Sequence, residues 1–141
     1  MMRFLDSSVF LHAYLKPKRR LTEVESRVKE KAKNIIMRID SGSEKILISV
    51  IHIGEIVNII ESRLGLKTSI ELLAKLLLLN NIKIVDVNRR DIEEAIYISD
   101  KYKISINDAI AYIKMKQYNI KEIYTFDKHF KKLPDIKVIQ E

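Results

Sequence analysis

The chain has 141 residues, 47% hydrophobic and 32% charged, with three glycines, two prolines and no cysteine. That balance fits one compact domain spanning residues 1–141, and it excludes a disordered chain, a disulfide scaffold and a thiolate metal site. Lys plus Arg outnumber Asp plus Glu by 26 to 19, a formal charge of +7, which favours an anionic partner, nucleic acid first.

In chain order, residues 2–5 read as a short strand and 7–15 as an apolar helix stopped by KPKRR at 16–20. Residues 22–40 form a charged amphipathic helix closed by Ser41 and Gly42. KILISV (45–50) is a strand, 51–64 an apolar helix ended by Gly65, and 68–80 a leucine-rich helix. IKIVDV (82–87) is a strand, followed by helices at 89–102 and 105–118. EIYTF (122–126) is a strand, 128–132 a turn of helix and IKVI (136–139) the last strand. Arg3 and Asp6 break the N-terminal apolar run, so no signal peptide is read there. No stretch is long enough to span a bilayer, and the expected compartment is the cytoplasm. Strands alternating with helices predict a parallel α/β sheet with helices on both faces. Ligands in such folds bind beyond the carboxyl ends of the strands.

Four acids fall there. Asp6 follows the first strand, Glu55 lies about a turn into the helix after KILISV, Asp108 opens the helix SINDAIAY, and Asp127 follows EIYTF. Taken singly, Asp6 and Asp127 read as helix caps, and Ser105 with Asp108 as an S-x-x-D capping box. Glu55 resists that reading. Its helix is apolar nearly all round, which predicts burial, and no Lys or Arg stands three or four residues away. A buried carboxylate needs a partner, and a metal ion is one. Two carboxylates about 4 Å apart repel by ~4 kcal/mol at an effective dielectric of ~20, so four clustered acids require cations. Carboxylate oxygens select Mg²⁺ or Mn²⁺, and an acidic site in a basic protein suits a nuclease.

FLDSSVF, ISVIHIGEIVN, ISINDAIAY and IYTFDKHF resemble, in order and spacing, the four motifs of the PIN-domain family, and within it the VapC-type toxins of toxin–antitoxin pairs. The resemblance implies an α/β/α fold with a five-stranded parallel sheet, Mg²⁺- or Mn²⁺-dependent cleavage of single-stranded RNA, a cognate antitoxin and a homodimer. By position, Asp6, Glu55 and Asp108 would be the central metal-site acids. Asp127 would complete the site as a ligand, through water, or by orienting the nucleophile. Ser8 and Thr125 match supporting polar positions. The expected chemistry is hydrolysis by metal-activated water, with no covalent intermediate and no required histidine. Lys16, Lys18, Arg19, Arg20, Lys128, Lys131 and Lys132 are candidates for holding flanking phosphates, against an alternative as solvated surface charge.

Other features point to packing. His12, His52 and His129 lack the paired spacing of a zinc site and are expected to pack or face solvent. Phe10, Tyr14, Tyr97, Tyr102 and Tyr112 fit core or dimer contacts. The leucines at 72, 73, 76, 77, 78 and 79 exceed one helical stripe and suggest a buried helix, or one whose second face meets another protein. Competing readings are an RNA-processing nuclease without an antitoxin and an idle RNA-binding or assembly module. A haloacid-dehalogenase-type phosphatase is disfavoured because Ser8 stands where a second aspartate is needed. A P-loop or dinucleotide fold is disfavoured because its glycine pattern is missing.

Overall fold

The computed structural model describes residues 1–141. Strands β1 (Met2–Leu5), β2 (Lys45–Ser49), β3 (Ile82–Val85), β4 (Glu122–Tyr124) and β5 (Lys137–Ile139) form one sheet in the order β3-β2-β1-β4-β5, with every neighbouring pair parallel. The crossovers carry α1 (Ser7–Tyr14) and α2 (Glu23–Asp40), then α3 (Val50–Leu64) and α4 (Leu66–Leu78), then α5 (Arg89–Tyr102) and α6 (Ile106–Gln117). A 3₁₀ turn at Lys128–Lys132 joins β4 to β5. No helix is long and apolar enough to cross a membrane.

The strands are apolar on both sides because both faces are covered. Phe4, Leu47, Val85 and Ile123 project into a core shared with α5 and α6. Their neighbours Leu5, Ile46, Ile48 and Tyr124 project into a second core with α1, α2, α3 and α4. The period-2 alternation within each strand thus feeds two separate cores. Local signals set the helix ends. Thr22 and Asn88 each make a reciprocal capping box, with Glu25 and Asp91. Gly65, at φ 95°, ends α3 and starts α4 in a conformation that only glycine adopts without strain. That single-residue corner is why α4 begins at Leu66, two residues before the segment expected from the sequence.

Two expectations about burial do not hold. α3 is not apolar-buried all round: only His52, Ile56 and Ile60 are fully buried, because α1 and α4 cover one side of it. On α4, Leu76 reaches the core, whereas Leu77 and Leu78 are 60% and 81% exposed. The excess leucines therefore form an outer face of the protomer.

The topology sets the position of the site. The chain steps from β1 outward to β2 and β3, then returns to the other side of β1 as β4. The crevice beyond the carboxyl ends of β1 and β4 is the switch point where such sheets bind ligands.

Candidate metal centre

Asp6 continues β1 by one residue, its backbone N–H donating to the Tyr124 carbonyl at 3.0 Å. It occupies the N-cap position of α1, yet its side chain makes no capping bond. Its Oδ2 instead accepts a hydrogen bond from Thr125 Oγ1 at 2.8 Å. Thr125 Oγ1 also accepts from the Asp127 N–H at 3.0 Å, and Ser8 Oγ accepts from the Phe126 N–H at 3.1 Å. The two hydroxyls stand 3.3 Å apart. Either hydroxyl can donate in this contact, and Ser8 and Thr125 both favour the ionised form of Asp6 by hydrogen bonding. Ser8 and Thr125 thereby join the loop after β1 to the loop after β4. Burial raises the Asp6 carboxyl above its ordinary pKa, and the nearby charge of Glu55 adds to the rise.

Glu55 lies in the second turn of α3, which Ser49 caps by accepting the His52 N–H at 3.2 Å. It is half-buried rather than buried, and it is not without partners. Ser7 Oγ of α1 donates to its Oε1, and Asn107 Nδ2 of α6 donates to its Oε2 at 2.8 Å. The expectation of burial is therefore corrected, and the partners it called for include two neutral donors from other helices. Ser7 and Asn107 were not singled out from the sequence. The one available signal was adjacency, since each stands beside an acid, Asp6 and Asp108 respectively.

Asp108 sits in the first turn of α6 and is buried. Ser105 caps the helix by accepting the Asp108 N–H at 3.1 Å. The reciprocal bond of a capping box is not made, which leaves the carboxylate facing the other acids. Burial, then the charges of Asp6 and Asp127, push its pKa from 3.8 up to about 7. Asp127 caps the 3₁₀ turn, its Oδ1 accepting from the His129 N–H at 2.9 Å and lying 2.7 Å from His129 Nδ1.

The four acids thus converge, but unequally. Glu55 acts on Asp6, and Asp6 and Asp127 act on Asp108. Asp108, Asp127 and His129 are the one group of three or more whose ligating atoms all lie within 4.8 Å of one another. Asp6, Glu55 and Asp108 form no ion pair with any Lys or Arg. Burial foremost, and then the charges of its neighbours, disfavour the ionised form of Asp108, so a cation would be needed to hold it charged. Carboxylate oxygens lacking cationic partners fit a hard divalent ion.

Of the remaining histidines, one packs and one is exposed. His52 is fully buried, with its ring edge against Phe4 and Nδ1 2.6 Å from Ser49 Oγ. His12 lies edge-on to Phe126. Lys16, Lys18, Arg19 and Arg20 are exposed in the loop before α2, and Lys128, Lys131 and Lys132 are exposed on the 3₁₀ turn beside Asp127. Arg19 is committed to Glu25 through two 2.8 Å contacts, while Lys132 donates to the Lys103 carbonyl.

The family model for the PIN domain matches residues 3–136. Ribonuclease VapC6 of Methanocaldococcus jannaschii is 37% identical over 71 residues, which is 50% of this chain and 46% of that protein. The chain therefore aligns with slightly under half the length of this relative. The crystal structure of VapC20 from Mycobacterium tuberculosis, a Sarcin-Ricin loop cleaving toxin, superposes with a TM-score of 0.69 at 20% identity, covering 93% of each chain. A toxin–antitoxin complex from Klebsiella pneumoniae superposes with a TM-score of 0.62 at 14% identity, covering 96% of this chain and 95% of that one.

Proposed function

This chain belongs to the PIN domain family, and from that premise we propose that it is a divalent-metal-dependent endoribonuclease, the toxin of a VapBC-type toxin–antitoxin pair. In this reading it acts as one domain, within a homodimer, in the cytoplasm, on single-stranded RNA. The carrying observation is the convergence of buried Asp6 and Asp108 with Asp127 at the β1/β4 switch point, with no Lys or Arg to balance them. The ribonuclease and toxin–antitoxin descriptions of the similar proteins support the same reading.

Mg²⁺ or Mn²⁺ bound at this centre supplies an activated water and neutralises charge on the scissile phosphate. Asp6, Asp108 and Asp127 are the residues that would hold it. Glu55, fixed from both sides by Ser7 and Asn107, adds negative charge at the inner wall. Thr125 and Ser8 keep Asp6 and Asp127 at a fixed separation by bonding across the two loops. Lys128 and Lys131, with Lys132, border the Asp127 side and would bind flanking phosphates. Lys16, Lys18 and Arg20 would extend that track, with Arg19 available only by releasing Glu25.

Labelled single-stranded RNA, incubated with the protein in Mg²⁺, Mn²⁺ or EDTA, tests this. Cleavage should require the metal and disappear in Asp6→Asn and Asp108→Asn. Persistence of cleavage in both variants would sink the assignment of the centre, and intact RNA across a broad substrate panel would sink the nuclease reading.

A further inference from the structure

We propose that His129 is a nitrogen donor to the metal held by Asp108 and Asp127, and that it biases this centre toward Mn²⁺ over Mg²⁺. The inference rests on the metal site proposed above and concerns a residue outside its four acids. His129 was expected from the sequence to pack or face solvent, and it is exposed. Its position is set by the 3₁₀ turn. Asp127 Oδ1 accepts the His129 N–H at 2.9 Å, and this local bond brings the imidazole back over the same carboxylate.

The result is a three-residue group, Asp108, Asp127 and His129, whose ligating atoms all lie within 4.8 Å of one another. His129 Nδ1 stands 2.7 Å from Asp127 Oδ1. Two donors each ~2.1 Å from one ion and at right angles about it are ~3 Å apart, so the pair has the spacing of adjacent ligands. The same spacing also suits a hydrogen bond between them, which makes coordination the point to test. Access is open, since the side chains of His129 and Asp127 are 47% and 31% exposed while Asp108 forms the buried floor.

The metal preference follows from donor chemistry. Mg²⁺ favours oxygen ligands and retains its waters, so a site of carboxylates alone discriminates weakly between it and Mn²⁺. Imidazole suits the transition ions and adds little for Mg²⁺.

The decisive readout is the nitrogen itself. Pulsed electron paramagnetic resonance of the full chain loaded with Mn²⁺ should show the ¹⁴N coupling of a coordinated imidazole, and His129→Asn should lose it. Asparagine can keep a hydrogen bond to Asp127 while removing the imidazole, so a purely positional role would leave the metal preference unchanged. Calorimetric titration with each ion should show the Mn²⁺-to-Mg²⁺ affinity ratio falling by at least about tenfold in His129→Asn, a bound set by what even a partner outside the coordination shell is worth. Absence of nitrogen coupling, or an unchanged ratio in His129→Asn while Asp108→Asn abolishes binding, would overturn the role of His129 and leave the acidic site standing. Failure of the unmodified protein to bind either ion would overturn both.

Discussion

Replacing Asp108 by asparagine should stabilise the metal-free protein at alkaline pH. Asp108 titrates near 7 in the fold against 3.8 ordinarily. Well below pH 3.8 both folded and unfolded chains carry its proton, so the residue costs nothing. Between about 4 and 7 the unfolded chain releases the proton and the folded chain keeps it. The unfolded state then binds fewer protons, and stability falls as pH rises through that window. At ~1.4 kcal/mol per pH unit, shared among the interacting acids and weakened by solvent screening, the loss is on the order of 1–3 kcal/mol by pH 8. Asp108→Asn removes the charge while keeping the size of the side chain. In EDTA, urea unfolding should therefore show the variant more stable than the parent by on the order of 1–3 kcal/mol at pH 8, with the difference shrinking to a few tenths of a kcal/mol or less toward pH 4 and below. A divalent ion should reverse the order, because it stabilises only the chain that binds it. A variant no more stable than the parent at pH 8, or equally favoured at pH 4 and pH 8, would refute the claim that like-charge repulsion and burial are stored at this carboxyl.

Two further outcomes test neighbouring interactions. Lys114 and Asp91 form a buried ion pair at 2.7 Å, with Gln117 bonded to both. Lys114→Met should cost about 3–5 kcal/mol in urea unfolding by stranding the Asp91 charge, and adding Asp91→Asn should recover most of that loss. Asn107→Ala should lower the rate of metal-dependent RNA cleavage by roughly ten- to a hundredfold through release of Glu55, while changing unfolding stability by only about 1–2 kcal/mol. Equal loss of both properties would make Asn107 merely structural.

The order of elements was legible because each rests on short-range signals. Apolar strand segments stop at acids or serines, Gly65 permits a turn closed to other residues, and Ser49, Asn88 and Ser105 cap the helices that follow them. The sequence also places all four acids at strand ends or helix starts, and the parallel topology brings those ends to one edge. What stayed illegible was which side chain meets which. Asp6 has every local feature of a cap, yet Thr125, distant in sequence, takes its carboxylate. Glu55 is surrounded by isoleucines in sequence, but the periphery of α3 leaves it half open, and donors from α1 and α6 reach it. Such pairings depend on how three helices meet, and helical spacing does not encode that.

The same contrast gives the acids different tasks. Glu55 has hydrogen-bond donors on both oxygens, so its geometry is fixed before any ion arrives. Asp6 has one fixed oxygen, held by Thr125. Asp108 is buried against its neighbours' charges and keeps a proton to about pH 7. Ionisation at the centre is thus costliest at the acid that no lysine, arginine or amide supports. That imbalance is unfavourable for an empty fold and favourable for one that captures a cation, since the repulsion relieved on binding adds to the ligand bonds formed. A fold optimised only for stability would have placed a lysine or an amide beside Asp108, as it placed Lys114 beside Asp91. Asp108 without a cationic partner, against Asp91 paired with Lys114, is the contrast on which the proposed metal role of this cluster rests.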